Sequence, residues 1–250
     1  MEPIRVEIDG REPTVAELSH ALLSNYGHFT AMQVRGGRVR GLELHLSRLA
    51  DASRELFGAS LDVGLVRGYL GQAIRGVPDA SVRVNVYRRE ELMTVVSVRP
   101  PALPPAGPLR LRSVPYVRPA AHLKHVGGFG QSYFGMRARA EGFDDALLVD
   151  AGGAVCEAAI ANIAFFDGTA LTWPSSPHLP GIAMQLLKPL LRSVDARVAL
   201  ADLGSFRAAF VANSIGVVPV AAVDDVRFGV DAALMRAVAD AGASVPWDVI

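Results

Sequence analysis

Lys124 is one of only two lysines in a chain that also carries 23 arginines. It stands in HLKHVGGFGQ, residues 122 to 131, flanked by His122 and His125 and followed by the Gly127-Gly128 pair. An arginine guanidinium does not give up its proton in a protein and does not condense with an aldehyde. A lysine amine does both once it is desolvated. In a chain that otherwise chooses arginine, a lysine beside a glycine turn is a candidate for covalent chemistry. Composition alone is met equally by a surface lysine that escaped the bias. The second lysine, Lys188, precedes Pro189 late in an expected helix, where a solvated role at the negative end of the helix fits.

Other residues carry weaker signals. Glu157 sits in VCEAAIANIAFF (155 to 166), among small and apolar residues. A buried carboxylate requires a cationic partner, and no Arg or Lys stands close by in sequence. The pyridinium nitrogen of a ligand would serve; a glutamate facing water at a strand end is the alternative. SSPHLPGIAMQLL (175 to 187) opens a helix whose first N–H groups could seat a phosphate. FVANSIGVVPV (210 to 220) places Asn213 and Ser214 at a strand end. LELHLSRLADA (42 to 52) puts His45 and Arg48 on one helix face, where an arginine can clamp an anion through two N–H groups. Each piece is common when taken alone. The six histidines (His20, His28, His45, His122, His125 and His178) and single Cys156 match no zinc spacing, so no metal site is expected.

The elements that must position these residues follow from periodicity and turn signals. Strands are expected at Ile4–Ile8 and Gly27–Val34. Helices are expected from about Glu43 to Phe57 and Leu61 to Ile74. Val82, Val84 and Val86 alternate with polar residues as in a half-buried strand, and 93–98 pairs with it. RPPALPPAGP (99 to 108) holds five prolines in ten residues and reads as a stiff, extended linker. Beyond it come a strand at 109–114, a helix at about 131–141, strands at 146–149, 155–166, 208–212 and 217–220, and helices from Pro180 to about Arg192 and from about Val230 to Ala241. The plan is α+β in two domains: residues 1–98, the linker 99–108, and a larger domain 109–250 carrying Lys124. Formal net charge is zero and no charge run occurs, which argues against nucleic-acid or membrane-surface binding. No apolar run spans a bilayer, the N-terminus MEPIRVEIDGREP lacks a secretory core, and the lone thiol suits a reducing compartment. A cytoplasmic protein is expected.

Taken in order, these segments resemble the class IV aminotransferases, the fold type IV pyridoxal-phosphate enzymes. That family includes branched-chain aminotransferase, D-amino-acid aminotransferase and 4-amino-4-deoxychorismate lyase. The segments are YGHFTAMQVRGGRV, HLSRL, the YR pair at 87–88, LKHVGG, GFDDALLVDAGGAVCEAAIANIAFF, LPGI and ANSIGVVPV, from about Tyr26 to Val220. The resemblance implies the two-domain fold of D-amino-acid aminotransferase, pyridoxal 5'-phosphate (PLP) as cofactor, amino-acid and keto-acid substrates, and a homodimer. Lys124 matches the lysine that holds the cofactor as an imine and shuttles the substrate proton. Glu157 matches the carboxylate on the pyridine nitrogen, Arg48 the phosphate arginine, Ile182 and Ala183 the helix-start amides, and Ser214, with Asn213 beside it, a later phosphate contact. Arg88 matches an arginine for a substrate carboxylate, and Tyr26, Phe29 and Thr30 a segment lining the substrate pocket.

The chain also departs from the family pattern. Phe129 stands where several members have a tyrosine, which removes a hydrogen bond to the cofactor's 3′-oxygen. GIAMQ replaces GITR, so a hydroxyl and an arginine are missing around Ala183 and Met184. Phe29-Thr30 replaces an FE pair and, with LKH, looks more like the lyase branch. The resulting expectation is an aminotransferase acting through Lys124. The alternatives are a 4-amino-4-deoxychorismate lyase, releasing pyruvate and 4-aminobenzoate, and a non-catalytic relic of the fold.

Overall fold

The structure is a computed structural model and describes residues 4–250; the first three residues of the N-terminal stretch discussed above lie outside the described residues. The chain forms two compact units. The first runs through Ala102 and takes in Leu123–Gly127 and Pro246–Ile250; the second comprises Leu103–His122 and Gly128–Val245.

In chain order the first unit contains β1 (Arg5–Ile8), α1 (Val15–Leu23), β2 (His28–Val34), β3 (Arg38–Val39), α2 (Leu42–Phe57), α3 (Val63–Ala73), β4 (Ala80–Arg88) and β5 (Leu92–Arg99). The four longer strands form an antiparallel sheet in the order β1-β5-β4-β2. Side chains alternate strictly across β2, with His28, Thr30, Met32 and Val34 buried and Phe29, Ala31 and Gln33 half-buried. Period-two alternation gives the sheet two different faces. Met32, Val34, Val82, Val84 and Val96 pack with Leu46 and Leu49 of α2 and Val66 and Leu70 of α3. The other face carries Phe29 opposite Asn85 and Ala31 opposite Arg83. Helix α2 is entered through Gly41 at φ 70° and left through Gly58 at φ 62°, both in the left-handed region that glycine adopts without strain. Helix α1 is not among the sequence expectations, although its signal is present: Thr14 and Glu17 form a reciprocal capping box.

The second unit contains β6 (Leu109–Pro115), α4 (Phe129–Ala140), β7 (Asp145–Val149), β8 (Val155–Ala158), β9 (Asn162–Phe166), β10 (Leu171–Pro174), α5 (Ile182–Leu187), β11 (Ser193–Ala196), β12 (Ala208–Ala212), β13 (Val217–Val223), β14 (Val226–Arg227) and α6 (Ala232–Ser244). Its nine-stranded mixed sheet runs β11-β10-β9-β12-β13-β6-β7-β8, with β14 paired to β13. Leu111, Leu147, Ile163, Phe165, Val211 and Val220 pack together in one cluster. Trp173, Phe210, Met184, Leu187, Leu234 and Val238 form another, which brings in α5 and α6. A last strand, β15 (Asp248–Val249), pairs with β3 in the first unit.

Three expectations need correction. The single β stretch at 155–166 is two strands, because the chain bends through 159–161. The helix expected from Pro180 to Arg192 is only six residues long, followed by a 3-10 turn at Lys188–Leu190; Pro189 has no N–H with which to continue it. Lys124 was expected among the contacts of the C-terminal domain, but its segment groups with the first unit. There Phe29 N–H donates to the Lys124 carbonyl at 2.8 Å and Val126 N–H to the Gly27 carbonyl at 2.9 Å, lengthening the β2 edge. No helix among the described residues is long and apolar enough to cross a membrane.

Candidate active site

The first unit gathers cations around one aromatic ring and one buried histidine. The Lys124 Nζ lies 4.9 Å from the centroid of the Phe29 ring. The Arg83 guanidinium carbon lies 3.5 Å from the same centroid. Both contacts follow from register, because Phe29 and Arg83 point from neighbouring strands to the same face. On the other face, Arg48 comes from the middle of α2 and its Nη2 donates to the Thr30 hydroxyl. Thr30 Oγ1 is also 2.6 Å from His45 Nδ1. Thr30 can accept from Arg48 and still exchange a hydrogen bond with His45 Nδ1 in either direction. His45 is neutral at neutral pH, its pKa pushed down to about 3 by burial and then by the charges of Arg48 and Lys124. His28 is likewise pushed down to about 4, by burial and Arg48, and contacts Ser53 at 2.9 Å.

Arg48 is the notable member of this group. Burial lowers its pKa to about 10, so it remains a cation at neutral pH. Its hydrogen-bond partners are neutral, its Nε has none, and no described carboxylate pairs with it. A largely desolvated cation without an acid is costly to keep. An anionic ligand group is the ordinary remedy.

The second unit is arranged differently. Glu157 on β8 is 5% exposed, and its Oε1 is 3.1 Å from Arg118 Nη1. Its Oε2 accepts the Leu179 N–H at 3.2 Å. Arg118 Nη1 also donates to the Ala121 carbonyl. Beyond Leu179, Asn162 donates to the Leu179 carbonyl at 2.7 Å, and its Oδ1 would lie 2.0 Å from a Cβ placed on Gly181. Only glycine fits there, and it sets the entry into α5. Gly181 provides no side-chain cap, so the N–H groups of Ile182 and Ala183 remain uncapped. Asn213 folds its own loop, accepting from the Ile215 and Gly216 N–H groups and donating to the Ile160 carbonyl. The half-buried Ser214 hydroxyl makes no hydrogen bond to the described residues.

The family model for class IV aminotransferases matches residues 27–223. The chain belongs to the class IV aminotransferase family. Solved structures share its fold at low identity. A branched-chain aminotransferase from Thermoproteus uzoniensis is 19% identical with a TM-score of 0.85, covering 98% of this chain and 95% of that one. A Legionella pneumophila protein named as a candidate 4-amino-4-deoxychorismate lyase is 19% identical, TM-score 0.84, covering 95% and 97%. A hypothetical aminotransferase from Mycobacterium tuberculosis in a PLP-bound form is 18% identical, TM-score 0.83, covering 96% and 98%. No curated protein sequence matches the chain.

Within this member of the family, the first unit brings Lys124 to Phe29 on one face of its sheet and Arg48 to Thr30 on the other. Thr30, expected to line a substrate pocket, is fully buried and holds Arg48 instead. Arg88 turns away from the Phe29 face and donates to the Phe57 carbonyl at the end of α2. Tyr26 is exposed, its ring edge-on to Phe57. Phe129 is 81% exposed and stacks on Tyr133. Two residues were missed, and the role of a third, Thr30, differs. Arg118 partners Glu157 across 39 positions of sequence, a separation that local reading does not bridge. Arg83 shares its face with Phe29 only through strand register. Thr30 acts toward the helix, a role that the alternation of β2 foreshadows.

Proposed function

We propose that this chain is a PLP-dependent aminotransferase that moves an amino group between an amino acid and a 2-keto acid. The observation that carries the reading is Arg48, a largely buried cation with no described acid partner, which stands with Lys124 near His45, a histidine kept neutral first by burial and then by both charges. Such a pair suits a ligand that carries both an anionic group and an aldehyde. The residues of the first unit suit that cofactor. Arg48 would hold the phosphate, and the family resemblance gives the Ser214 hydroxyl and the Ile182 and Ala183 amides a phosphate role as well. With α5 only six residues long, those amides count as local hydrogen bonds more than as a helix dipole. Lys124 would be the covalent attachment point, and Glu157 would face the ring nitrogen. When bound, PLP supplies an electron sink for the pair left at the substrate Cα. Lys124 Nζ would take the proton from the substrate Cα and hand it to the cofactor's C4′, the role the family resemblance gives it. Arg118 and the Leu179 N–H hold the Glu157 carboxylate in place, where it would accept a hydrogen bond from the ring nitrogen. Asn213 is better read as a loop former than as a contact.

A homodimer in the cytoplasm belongs to the same reading. Val15, Leu22 and Leu23 on α1 and Phe129 and Met136 on α4 are exposed apolar side chains that a second copy could cover. The single buried thiol, Cys156, raised to about pKa 11 mainly by burial, fits a reducing compartment. Arrangement into two domains joined at the proline-rich stretch 99–108 is proposed with it.

The second reading is the lyase, which rests on the Phe29-Thr30 pair and the LKH context. The test is an absorption spectrum of the PLP-loaded protein during addition of L- and D-amino acids. Bleaching of the cofactor band with equimolar keto acid is the expected result. A band that no amino acid changes, with 4-aminobenzoate formed from 4-amino-4-deoxychorismate, would overturn the transaminase reading in favour of the lyase.

A further inference from the structure

Arg83 is a second half-buried cation without an acid. It projects from the centre of β4 onto the open face of the first unit's sheet, beside Phe29. Its Nε donates to Asn85 Oδ1 at 3.0 Å, and Asn85 donates in turn to the Tyr87 hydroxyl at 3.3 Å. Those contacts, with the flat stacking on Phe29, fix the plane of the guanidinium. They use only the inner edge. Nη1 and Nη2 make no hydrogen bond and no ion pair with any described residue, and neither nitrogen is sealed from solvent. Arg99 adds like charge near Arg83, and Lys124 stands against the same ring. A pinned guanidinium with its two-nitrogen edge open, in a field of like charge, is the arrangement that receives a carboxylate in two-pronged fashion.

We propose that Arg83 is the specificity residue that receives a carboxylate of the keto-acid and amino-acid substrates. This inference rests on the aminotransferase reading and deepens it. It also moves the recognition site away from Arg88, whose guanidinium is turned to the Phe57 carbonyl. Phe29 then has a defined part: its ring is a common floor for the cation that receives the carboxylate and for the lysine that works on the neighbouring carbon. A substrate without a carboxylate gains nothing from Arg83.

The test uses the PLP-loaded protein, to which 2-keto acids bind without reacting. Affinity for pyruvate, 2-oxoisovalerate and 2-oxoglutarate is measured by calorimetry for wild type, Arg83→Gln, Arg83→Lys and Arg88→Gln, with cofactor uptake and thermal midpoint read on the same samples. The expected result is a loss of keto-acid affinity of roughly 10- to 100-fold in Arg83→Gln, the range for a charge-assisted pair. Arg83→Lys should recover part of that loss, Arg88→Gln should show little, and PLP uptake should be unchanged throughout. Wild-type affinity in Arg83→Gln, a loss confined to Arg88→Gln, or a PLP-loaded wild type that binds none of the three acids would overturn the inference. Absence of cofactor uptake by wild type would instead bring down the aminotransferase reading, and this inference with it.

Discussion

The two units handle buried charge in opposite ways. In the second, the carboxylate of Glu157 meets Arg118 and a backbone N–H, so the pair is balanced within the protein. In the first, Arg48 and Arg83 have only neutral partners, and Lys124 lies against the same phenyl ring as Arg83. An unbalanced cation cluster costs stability until an anion arrives. Under the proposed function, the first unit would supply the charge that draws in anionic groups of cofactor and substrate.

The largest effect should come from breaking the first unit's chemistry. Lys124→Ala removes the only amine on that face and should lower turnover by at least about a thousandfold, as loss of a covalent catalyst does. Single-turnover kinetics with an amino donor will show it. The next comparison is thermodynamic. In cofactor-free protein Glu157→Ala removes the buried carboxylate of an ion pair and should cost about 3–5 kcal/mol, whereas Arg48→Met removes an uncompensated charge and should cost under about 1 kcal/mol or stabilise. Urea unfolding of the two variants checks this, and equal losses would erase the contrast between the units.

Histidines sharpen the same contrast through pH. Folded His28 and His45 titrate at about 4 and about 3, against 6.5 for an ordinary histidine. Between those values the unfolded chain binds more protons than the folded one, so stability is fully present above pH 6.5 and falls as pH drops toward the folded values. By pH 5 each histidine should have cost about 2 kcal/mol. A thermal midpoint that does not fall between pH 7.5 and pH 5 would contradict the buried neutral assignment. The smallest effect belongs to the other lysine. Lys188 pairs with Asp195 at 2.5 Å on a partly exposed surface, and Lys188→Met should cost less than about 1 kcal/mol and leave cofactor uptake unchanged.

Much of this architecture could be read in advance where the signal is local. The alternating valines of β4 and the period of α2 with Gly58 at its end both survive. What was lost depends on pairing across the chain. The partner of Glu157 arrives from Arg118, 39 residues away. Arg83 faces Phe29, and Arg88 does not, because of the register of β2 on β4. Strand alternation turned Thr30 toward α2 while its neighbour Phe29 went to the other face. Pro189 shortened α5 for a purely local reason that could have been applied.

The central claim is that Lys124 is the residue that holds the cofactor. Wild type and Lys124→Ala, each mixed with PLP, are treated with borohydride, digested and mapped by mass spectrometry. One added phosphopyridoxyl group on the peptide containing Lys124 in wild type, and none on any peptide of the variant, is the predicted result. Labelling at Lys188, or no label in wild type, would contradict it.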